Sequence, residues 1–470
     1  MVWPSIAIAI PLFLLLIHFS SKSERSNATI HVQPSGVLGL TTLSSILRHL
    51  KSNRFTEWII DVLSVPGHTA EMNIFGTRFI LTEEPENLKA IFTNQFRDYG
   101  KGVSSHKALG YLATDSIFTA DGAGWRMKRK ELRSYIAGIK ESDIQITGMH
   151  VQELLDRISS SQSTDGLDVY DALDRLQLNI ALHRFLGQDK VTDVAAYEKF
   201  RKAKHILGLA GTLHLFLGPI GGVVGWFMSR KAKIDVNEYI TGLIDFANCS
   251  EDSAGKEALQ TTPTRDFLLA LLLAGKDPTV IGVSWTIYQL AQHPQIYARL
   301  RSEIESHIGF EKAPDLASLE KMPFLKMVIQ ETMRLTPPIG FNFREALQDT
   351  TLPRGGGGHG QDPIVVKKGH IVFASIFGMH RLPTSVGIDA DSWRPDRWKE
   401  WTPPEGEFIP FSTGPRNCLG RSFAQFQMEY IVVRILQKFS GISYEGLEQQ
   451  VKFEINTKPA FPVLCKFHTD

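Results

Sequence analysis

One cysteine, Cys418, lies in the segment that most constrains the fold of this chain. The segment Phe411–Gly420 reads Phe-Ser-Thr-Gly-Pro-Arg-Asn-Cys-Leu-Gly, and an apolar helical run, Ser422–Leu436, follows it. Glycine accepts backbone angles that other residues avoid, so we expect Gly414 and Gly420 to bring backbone amides close to the sulfur. A thiolate held on such a turn, just before a helix, is suited to being a fixed metal ligand.

The fixed positions of this segment, Phe-x-x-Gly-x-Arg-x-Cys-x-Gly, resemble the haem-binding loop of the cytochrome P450 superfamily. The resemblance implies that Cys418 is the axial ligand to the iron of haem b, a ligation that favours O–O cleavage. It also implies that Arg416 pairs with a haem propionate through its planar guanidinium, and that Phe411 shields the thiolate from water. From the residues alone, the alternative is that Cys418 is a buried structural cysteine beside a turn rather than a metal ligand.

A second stretch offers hydrogen-bond donors for the same group. Trp125 and Arg129 are four residues apart, so they share one face of a predicted helix. They supply an indole N–H and a guanidinium. The resemblance implies that both donate to haem propionates, together with Arg344, which follows the helix-breaking pair Pro337-Pro338.

The helix that contains Trp125 is also basic, with Lys128, Lys130 and Arg133. The resemblance implies that this face docks an acidic electron-transfer partner, an NADPH-dependent reductase. A solvated charged face is the alternative.

Two charged elements predict a buried network. Glu331 and Arg334 are three residues apart on a helix and share a face. Arg397 lies in Pro-Asp-Arg-Trp, which is similar to the Pro-Glu-Arg-Phe element of the family. The resemblance implies that Glu331, Arg334 and Arg397 form a structural triad that fixes the loop carrying Cys418, and such a triad must be fully paired.

A long helical pattern contains Ala-Gly-Lys-Asp-Pro-Thr at 274–279, where the family has Ala/Gly-Gly-x-Asp/Glu-Thr-Thr. Asp277 retains the acid of the proton-delivery pair, but Pro278 replaces the first threonine. A proline cannot hydrogen-bond to the Ala274 carbonyl, so we expect a wider helix at this point. Our hypothesis is that Asp277, with Thr279 or a water at the freed carbonyl, delivers protons. The alternative is a proline kink that serves shape only.

The N-terminal segment 2–19 has no Lys, Arg, Asp or Glu and is mostly apolar. Its 18 residues span about 27 Å as a helix, close to the thickness of a bilayer core. A basic start and a small-x-small cleavage site are not evident, which favours an uncleaved anchor over a signal peptide. Lys22 and Arg25 follow the segment, so we expect the body of the protein to face the cytosol.

The organisation predicted is therefore a transmembrane anchor at 2–19, a linker at 20–40 and a haem domain at 41–470. A helical pattern covers 43–62, and helical periodicity dominates 141–248 and 265–335. Alternation around Gly76 predicts a β-hairpin over 69–82, and further strand patterns occur at 364–374 and 451–467. This is a mainly α fold with small β-sheets, as the cytochrome P450 resemblance also implies. With the resemblance, the anchor predicts a single-pass protein of the endoplasmic reticulum membrane.

Composition excludes several other classes. The net charge of +1 gives no argument for nucleic acid. The three cysteines, Cys249, Cys418 and Cys465, do not suggest a disulfide framework. No two of the fifteen histidines have the His-x-x-x-His spacing of a helical zinc motif, so we interpret His380 and the others as ordinary polar residues.

The activity that the resemblance implies is a monooxygenase: one atom of O2 enters a C–H bond of a lipophilic substrate and the other becomes water. Several stretches resemble the fungal alkane- and fatty-acid-hydroxylating branch. They are Arg54–Trp58, Gln95–Gly100, Ile117–Gly122 and Met379–Arg381.

The chain departs from that branch at Pro278 and in a shorter segment between about Asn248 and Arg265. We therefore prefer a role in fungal secondary-metabolite biosynthesis, with a fatty-acid or alkane hydroxylase as the alternative. A reductase-independent haem-thiolate isomerase or dehydratase is a further alternative, and a non-catalytic haem binder is the least favoured. The apolar run from Ile206 to Trp226 predicts either a lid that touches the membrane or a buried helix pair.

Overall fold

Helices make up most of the computed structural model, which describes residues 30–34, 36, 39–136, 138–160, 166–189, 191, 193–249 and 265–469. The predicted anchor at 2–19, most of the linker at 20–40 and the shortened segment before Arg265 lie outside the described residues. Within these residues the helices are, in chain order, α1 (Leu40–Lys51), α2 (Phe55–Leu63), α3 (Pro85–Lys89), α4 (Gly102–Leu109), α5 (Gly122–Ile136), α6 (Glu141–Ser160), α7 (Val169–Leu186), α8 (Val194–Cys249), α9 (Arg265–Gln292), α10 (Pro294–Ile308), α11 (Leu316–Glu320), α12 (Pro323–Leu335), α13 (Ile376–Met379), α14 (Pro383–Val386), α15 (Arg397–Glu400) and α16 (Arg421–Lys438).

The strands are short and collect at the edges of the helical body. In chain order they are β1 (His31–Val32), β2 (Thr69–Ile74), β3 (Thr77–Thr82), β4 (Tyr99–Gly100), β5 (Leu167–Asp168), β6 (Phe341–Ala346), β7 (Thr350–Gly356), β8 (Asp362–Val366), β9 (Ile371–Ser375), β10 (Gly441–Tyr444), β11 (Val451–Phe453), β12 (Thr457–Pro459) and β13 (Leu464–His468). The largest sheet of the described residues has the order β1-β2-β3-β9-β6-β4, and the smaller ones are β10-β13-β5, β11-β12 and β7-β8. The prediction of a mainly α fold with small sheets is confirmed.

The core centres on α9, which is apolar on nearly every side, as expected for a helix buried inside a protein. Val280, Val283 and Ile287 pack with residues of α7 and α16 in one hydrophobic cluster. By length and composition α8 and α9 are both apolar enough to cross a membrane, but 72% of the most apolar window of α9 is buried. Its hydrophobicity therefore reflects its place in the core.

The chain reverses direction inside α8, at Gly218, where φ is +54° and Pro219 follows. The two halves of α8 then pack so closely that a Cβ added to Gly221 would lie 2.0 Å from the Leu213 carbonyl oxygen. Leu207 is fully buried, whereas Trp226 is 52% exposed. The apolar run at 206–226 is thus a helix pair with a buried inner side and an exposed outer side.

One of two local expectations changed. The continuous helix expected over 43–62 is instead two helices, because the chain turns at Asn53 with a left-handed φ of +56°. The hairpin expected over 69–82 is present, with Thr69 opposite Thr82 and Ile74 opposite Thr77.

The close packing inside α8 predicts that Gly221→Ala destabilises the protein by about 1–3 kcal/mol, because the added methyl meets backbone that cannot move aside. Gly242→Ala is the matched control, since nothing lies within 4 Å of a Cβ at that helical position. There we expect equal or slightly greater stability, as alanine favours helix. The thermal midpoints of the two variants measure the difference, and equal midpoints would contradict the packing described.

Candidate functional site

Cys418 lies between a 3₁₀ turn, Gly414–Arg416, and the first residue of α16. Its backbone N–H donates to the Phe411 carbonyl at 2.9 Å, which closes the loop. Gly414 has a φ of +67°, and a Cβ there would lie 1.9 Å from the Phe92 carbonyl oxygen, so only glycine fits. Gly420 has an ordinary φ of −89°, so the expectation of a special backbone angle at that residue is wrong.

The Cys418 thiol is solvent-accessible, although protein surrounds it on most sides. Burial raises the pKa of the thiol above its ordinary value, and the Gly420 amide and the charges of Arg129 and Arg421 offset part of that rise. A metal ion at the sulfur would complete the shift towards the thiolate, because a coordinating thiol is deprotonated. The loop therefore presents one accessible sulfur next to positive charge.

Arg129 and Trp125 of α5 lie against this loop, on the shared helix face that their spacing predicts. Arg129 donates to the Asn417 carbonyl at 2.9 Å and to the Asn417 side chain. Its guanidinium carbon lies 5.7 Å from the centre of the Trp125 ring. Arg129 is thus adjacent to Asn417, the residue that precedes Cys418, and Trp125 lies beside Arg129.

Arg416 points from the loop to the start of α5. It donates to the Ala120 carbonyl at 3.0 Å and to Asp121, and its guanidinium carbon lies 4.6 Å from the Trp125 ring centre. The Asp121 carboxylate also accepts the backbone N–H groups of Lys101 and Gly102 at 2.9 and 2.8 Å. Its acceptor capacity is therefore largely used.

Three cations converge on this one carboxylate: Lys101, Arg344 and Arg416. Arg344, on β6, is only 3% exposed. Burial lowers its pKa to about 9, with repulsion from Arg416 as the next cause. Burial, Arg344 and Arg416 likewise lower the pKa of Lys101 well below its ordinary value. The cluster has more positive than negative charge.

The donor chemistry of this cluster fits the two propionates that the resemblance implies. Arg344 and Arg416 each have a buried Nε–H that meets no acceptor within the part of the chain that the structure describes. Buried polar groups are normally hydrogen-bonded, so unused donors on buried cations indicate an anionic partner. Cations with unused donors beside an accessible thiol therefore fit haem b, which carries two carboxylates and an iron that can take a thiolate ligand.

Lys101 was missed by sequence reasoning. Its burial depends on the pairing of β4 with β6, in which Gly100 lies opposite Glu345, next to Arg344. That pairing joins segments about 240 residues apart, and a lysine between two glycines gives no local signal of it.

The structure brings Glu331, Arg334 and Arg397 together, each at most 1% exposed. Arg334 donates two hydrogen bonds to the Glu331 carboxylate, at 3.0 and 2.9 Å, and Arg397 donates one at 3.2 Å. The Trp398 indole N–H and the Arg394 backbone N–H also donate to that carboxylate, at 3.0 Å each. Glu331 is therefore fully satisfied.

The network reaches the Cys418 loop through two contacts. The Trp398 ring lies 4.7 Å from the Phe408 ring, between centres. The Ile409 backbone N–H donates to His380 Nε2 at 3.0 Å, and Arg334 donates to the His380 carbonyl at 3.0 Å.

His380, which sequence reasoning interpreted as an ordinary polar residue, is 1% exposed. Burial, followed by the charges of Arg334 and Arg381, lowers its pKa to about 3, so it is neutral and can accept the Ile409 hydrogen bond. Neither its sequence neighbours nor its spacing gave a signal of this role.

Asp277 faces α8 rather than Thr279. Its carboxylate forms ion pairs with Lys204 of α8 and with the neighbouring Lys276, at 2.7 Å each, and Lys276 also contacts Asp174 of α7. Burial alone would raise the pKa of Asp277, but the two lysines outweigh it and hold that pKa well below its usual range. Asp277 is therefore ionised. Positions i and i+2 do not face each other on a helix, and the structure gives no direct hydrogen bond between Asp277 and Thr279.

Another side of α9 has small side chains and is partly exposed to solvent. Helix α9 continues from Arg265 to Gln292 through Pro278. Ala274 is exposed and Gly275 and Pro278 are half-buried, in a helix that is otherwise mostly buried. We call Ala274, Gly275 and Pro278 the open strip. A Cβ on Gly282, one turn beyond Pro278, would lie 2.7 Å from the Met428 sulfur of α16. The helix that carries the open strip therefore contacts the helix that follows Cys418.

Comparison with known proteins agrees with this site. A family model described as cytochrome P450 matches residues 224–459. The chain is 30% identical to cytochrome P450 monooxygenase pvhE of Talaromyces variabilis, over 93% of this chain and 89% of that relative. It is 32% identical to cytochrome P450 52A5 of Candida maltosa, over 80% of this chain and 78% of the relative. It is 31% identical to cytochrome P450 52A13 of Debaryomyces hansenii, over 83% of this chain and 80% of that relative.

Replacing Glu331 with glutamine should destabilise the fold by about 3–5 kcal/mol, because the buried Arg334 loses the carboxylate that it pairs with, and Arg397 is left with Asp389. Asp396→Asn is the control: Asp396 pairs with Arg299 at the surface, where an ion pair contributes less than about 1 kcal/mol. Denaturant unfolding of the two variants measures the difference, and similar midpoints would show that the triad is not the structural support proposed.

Lys101→Met should have opposite effects on the two forms of the protein. The haem-free protein should gain roughly 1 kcal/mol of stability, because a poorly solvated cation is removed from beside two arginines. The haem-loaded protein should lose haem faster, because one cation facing its carboxylates is lost. Haem transfer to apomyoglobin and melting of the haem-free form measure the two effects. The exposed Lys130→Met should change neither, and stabilisation of both forms by Lys101→Met would contradict an anion site.

Proposed function

This chain belongs to the cytochrome P450 superfamily, and from that membership we propose the role of each site residue. The protein is a P450 monooxygenase with haem b as its cofactor. We propose that Cys418 supplies the thiolate to the iron, and that Trp125, Arg129, Arg344, Arg416 and Lys101 hold the propionates. The unused Nε–H donors of Arg344 and Arg416, beside an accessible Cys418, are the observation that carries this assignment.

Haem b bound at Cys418 supplies the activation of O2, so that one oxygen atom enters the substrate and the other leaves as water with two electrons and two protons. The chain supplies the environment. Phe411 is proposed to shield the sulfur from water, and the Glu331–Arg334–Arg397 triad keeps the segment before the loop in place.

Proton delivery is proposed to use Asp277 and Thr279 through water rather than by direct contact. Asp277 is ionised and bonded to Lys204, whose side chain is 19% exposed and so reaches solvent. Thr279 is buried, and its hydroxyl makes no hydrogen bond with other groups of the described chain. A water bound to the Thr279 hydroxyl, near the Ala274 carbonyl to which Pro278 cannot donate a hydrogen bond, would connect the two sides of α9.

The substrate is proposed to be lipophilic. The open strip of Ala274, Gly275 and Pro278 offers small apolar side chains to a ligand. Divergence at Pro278 favours secondary-metabolite biosynthesis in a fungus. The stretches shared with the alkane- and fatty-acid-hydroxylating branch favour the alternative.

For the partner and the location we propose an NADPH-dependent reductase that docks on the exposed basic residues of α5, and a single-pass anchor in the endoplasmic reticulum membrane with the haem domain in the cytosol. Lys130 and Arg133 are exposed, as this docking requires, whereas Lys128 pairs with Asp115 at 2.8 Å.

The altered proton path at Pro278 also favours a second candidate, a reductase-independent isomerase or dehydratase. Incubation with O2, NADPH, a reductase and a panel of lipids and terpenoids separates the two. A monooxygenase consumes O2 and NADPH in proportion to a product that contains one atom from ¹⁸O2. Product formed without NADPH and without label would favour the second candidate.

Thr279→Ala should lower coupling, the product formed per NADPH consumed, by roughly tenfold if its hydroxyl orders the water that delivers protons. Released peroxide and product per NADPH are the measurements, with Thr286→Ala as the control because Thr286 bonds to the Gly282 carbonyl at 2.8 Å and serves the helix itself. Unchanged turnover and coupling in Thr279→Ala would remove Thr279 from the mechanism.

A further inference from the structure

Helix α9 lacks one backbone hydrogen bond at the open strip. Pro278 has no N–H to donate to the Ala274 carbonyl, and Gly275, in the same turn, has no side chain to restrain the backbone. A helix interrupted in this way usually bends or breaks at the proline. Helix α9 nevertheless continues from Arg265 to Gln292, so other contacts hold its shape at this turn.

Four charged side chains supply such contacts on the side of α9 opposite the open strip. Each residue turns about 100° round a helix, so Lys276 and Asp277 point away from that strip. The Lys276 ammonium contacts Asp174 of α7 and lies 2.7 Å from the Asp277 carboxylate. That carboxylate lies 2.7 Å from the ammonium of Lys204 on α8. We call these four residues the tether.

The tether is buried and its charges are balanced. Lys276 is 1% exposed and Asp174 is 4% exposed. Two lysines face two aspartates, so the four charges sum to zero. The Tyr197 hydroxyl of α8 donates to the other oxygen of Asp174 at 2.5 Å, which fixes the carboxylate that holds Lys276. Separating any member would leave an unpaired buried charge, so this arrangement resists displacement.

The direction of the tether determines what it does to α9. Its partners on α7 and α8 hold the turn at Lys276 and Asp277 from the side opposite the open strip. They therefore hold this turn back from a ligand that lies against the strip. Without them, the backbone freed by Pro278 would let the turn move towards the ligand and narrow the ligand's space.

We propose that Lys276 is a positioning residue that, through Asp174, sets how much room a ligand has beside the open strip. Pro278 makes the helix deformable at this turn, and the tether fixes the position that the turn takes. Bulky ligands depend on that room, whereas small ligands do not. The inference rests on the contact between substrate and open strip that is proposed above.

The test measures binding of two probes to the full-length haem-loaded protein: imidazole and 4-phenylimidazole, which differ by one phenyl group. Spectral titration of the Soret band gives both dissociation constants without turnover. Lys276→Met/Asp174→Asn removes one positive and one negative charge and leaves Asp277 paired with Lys204. It should weaken 4-phenylimidazole binding by about tenfold and change imidazole binding by less than about twofold.

Asp171→Asn/Arg201→Gln is the matched control, because it removes an ion pair between α7 and α8 that does not include α9. It should change the binding of neither probe. Tyr197→Phe is a milder variant that removes the hydroxyl bonded to Asp174. It should weaken 4-phenylimidazole binding by about threefold, and it tests the tether even where the double variant does not take up haem.

Pro278→Ala tests the link between the tether and the missing hydrogen bond, because alanine restores the N–H that can donate to the Ala274 carbonyl. In that background, Lys276→Met/Asp174→Asn should change 4-phenylimidazole binding by less than about twofold, since the two effects are not additive. Equal changes for both probes, tighter binding of 4-phenylimidazole, or an effect that persists with Pro278→Ala would overturn the proposal.

Gly275→Val separates this inference from the proposed function, because it adds bulk to the open strip itself. Unchanged 4-phenylimidazole binding in Gly275→Val would defeat the proposed substrate contact, and this inference with it. Weaker binding in Gly275→Val, with no loss in Lys276→Met/Asp174→Asn, would overturn the role of Lys276 alone.

Discussion

The repulsion among Lys101, Arg344 and Arg416 is the interaction on which the rest of the site depends. Asp121 is the carboxylate that faces these three cations, and its oxygens already accept two backbone N–H groups and Arg416. Cations held this close in a poorly solvated place raise the free energy of the fold unless an anion joins them. We propose that haem carboxylates supply that anion, which would couple haem binding to the stability of this region.

The Glu331–Arg334–Arg397 triad makes a different contribution from the cation cluster. Its charges are balanced within the protein, because Arg397 also pairs with Asp389 at 2.8 Å, and both oxygens of Glu331 have donors. It therefore needs no ligand and can hold the segment before the loop in place before haem arrives. Through Trp398 and Phe408, and through His380 and Ile409, that order extends to the loop that ends at Cys418. We propose that the triad fixes the position of the sulfur and that the cation cluster binds the carboxylates of the cofactor.

Much of this arrangement was predictable because local spacing encodes it. Trp125 and Arg129 share a face by helical geometry alone, and Glu331 and Arg334 do so for the same reason. Lys101 and the partners of Asp277 were not predictable, because they depend on which distant elements meet. Pairing of β4 with β6 places Lys101 beside Arg344, and packing of α8 on α9 places Lys204 on Asp277. The turn at Asn53 was missed since an apolar pattern continues across it.

A thiolate from Cys418 on haem iron is the central claim, and carbon monoxide tests it most directly. The purified protein is reduced, carbon monoxide is added and the Soret band is recorded, with Cys418→Ala and Cys465→Ala in parallel. Cys465 is the matched control, because it is 1% exposed in β13 and burial raises its pKa to about 12. We predict a strongly red-shifted band in the unmodified protein and in Cys465→Ala, and its loss in Cys418→Ala. A red-shifted band that persists in Cys418→Ala would contradict the account.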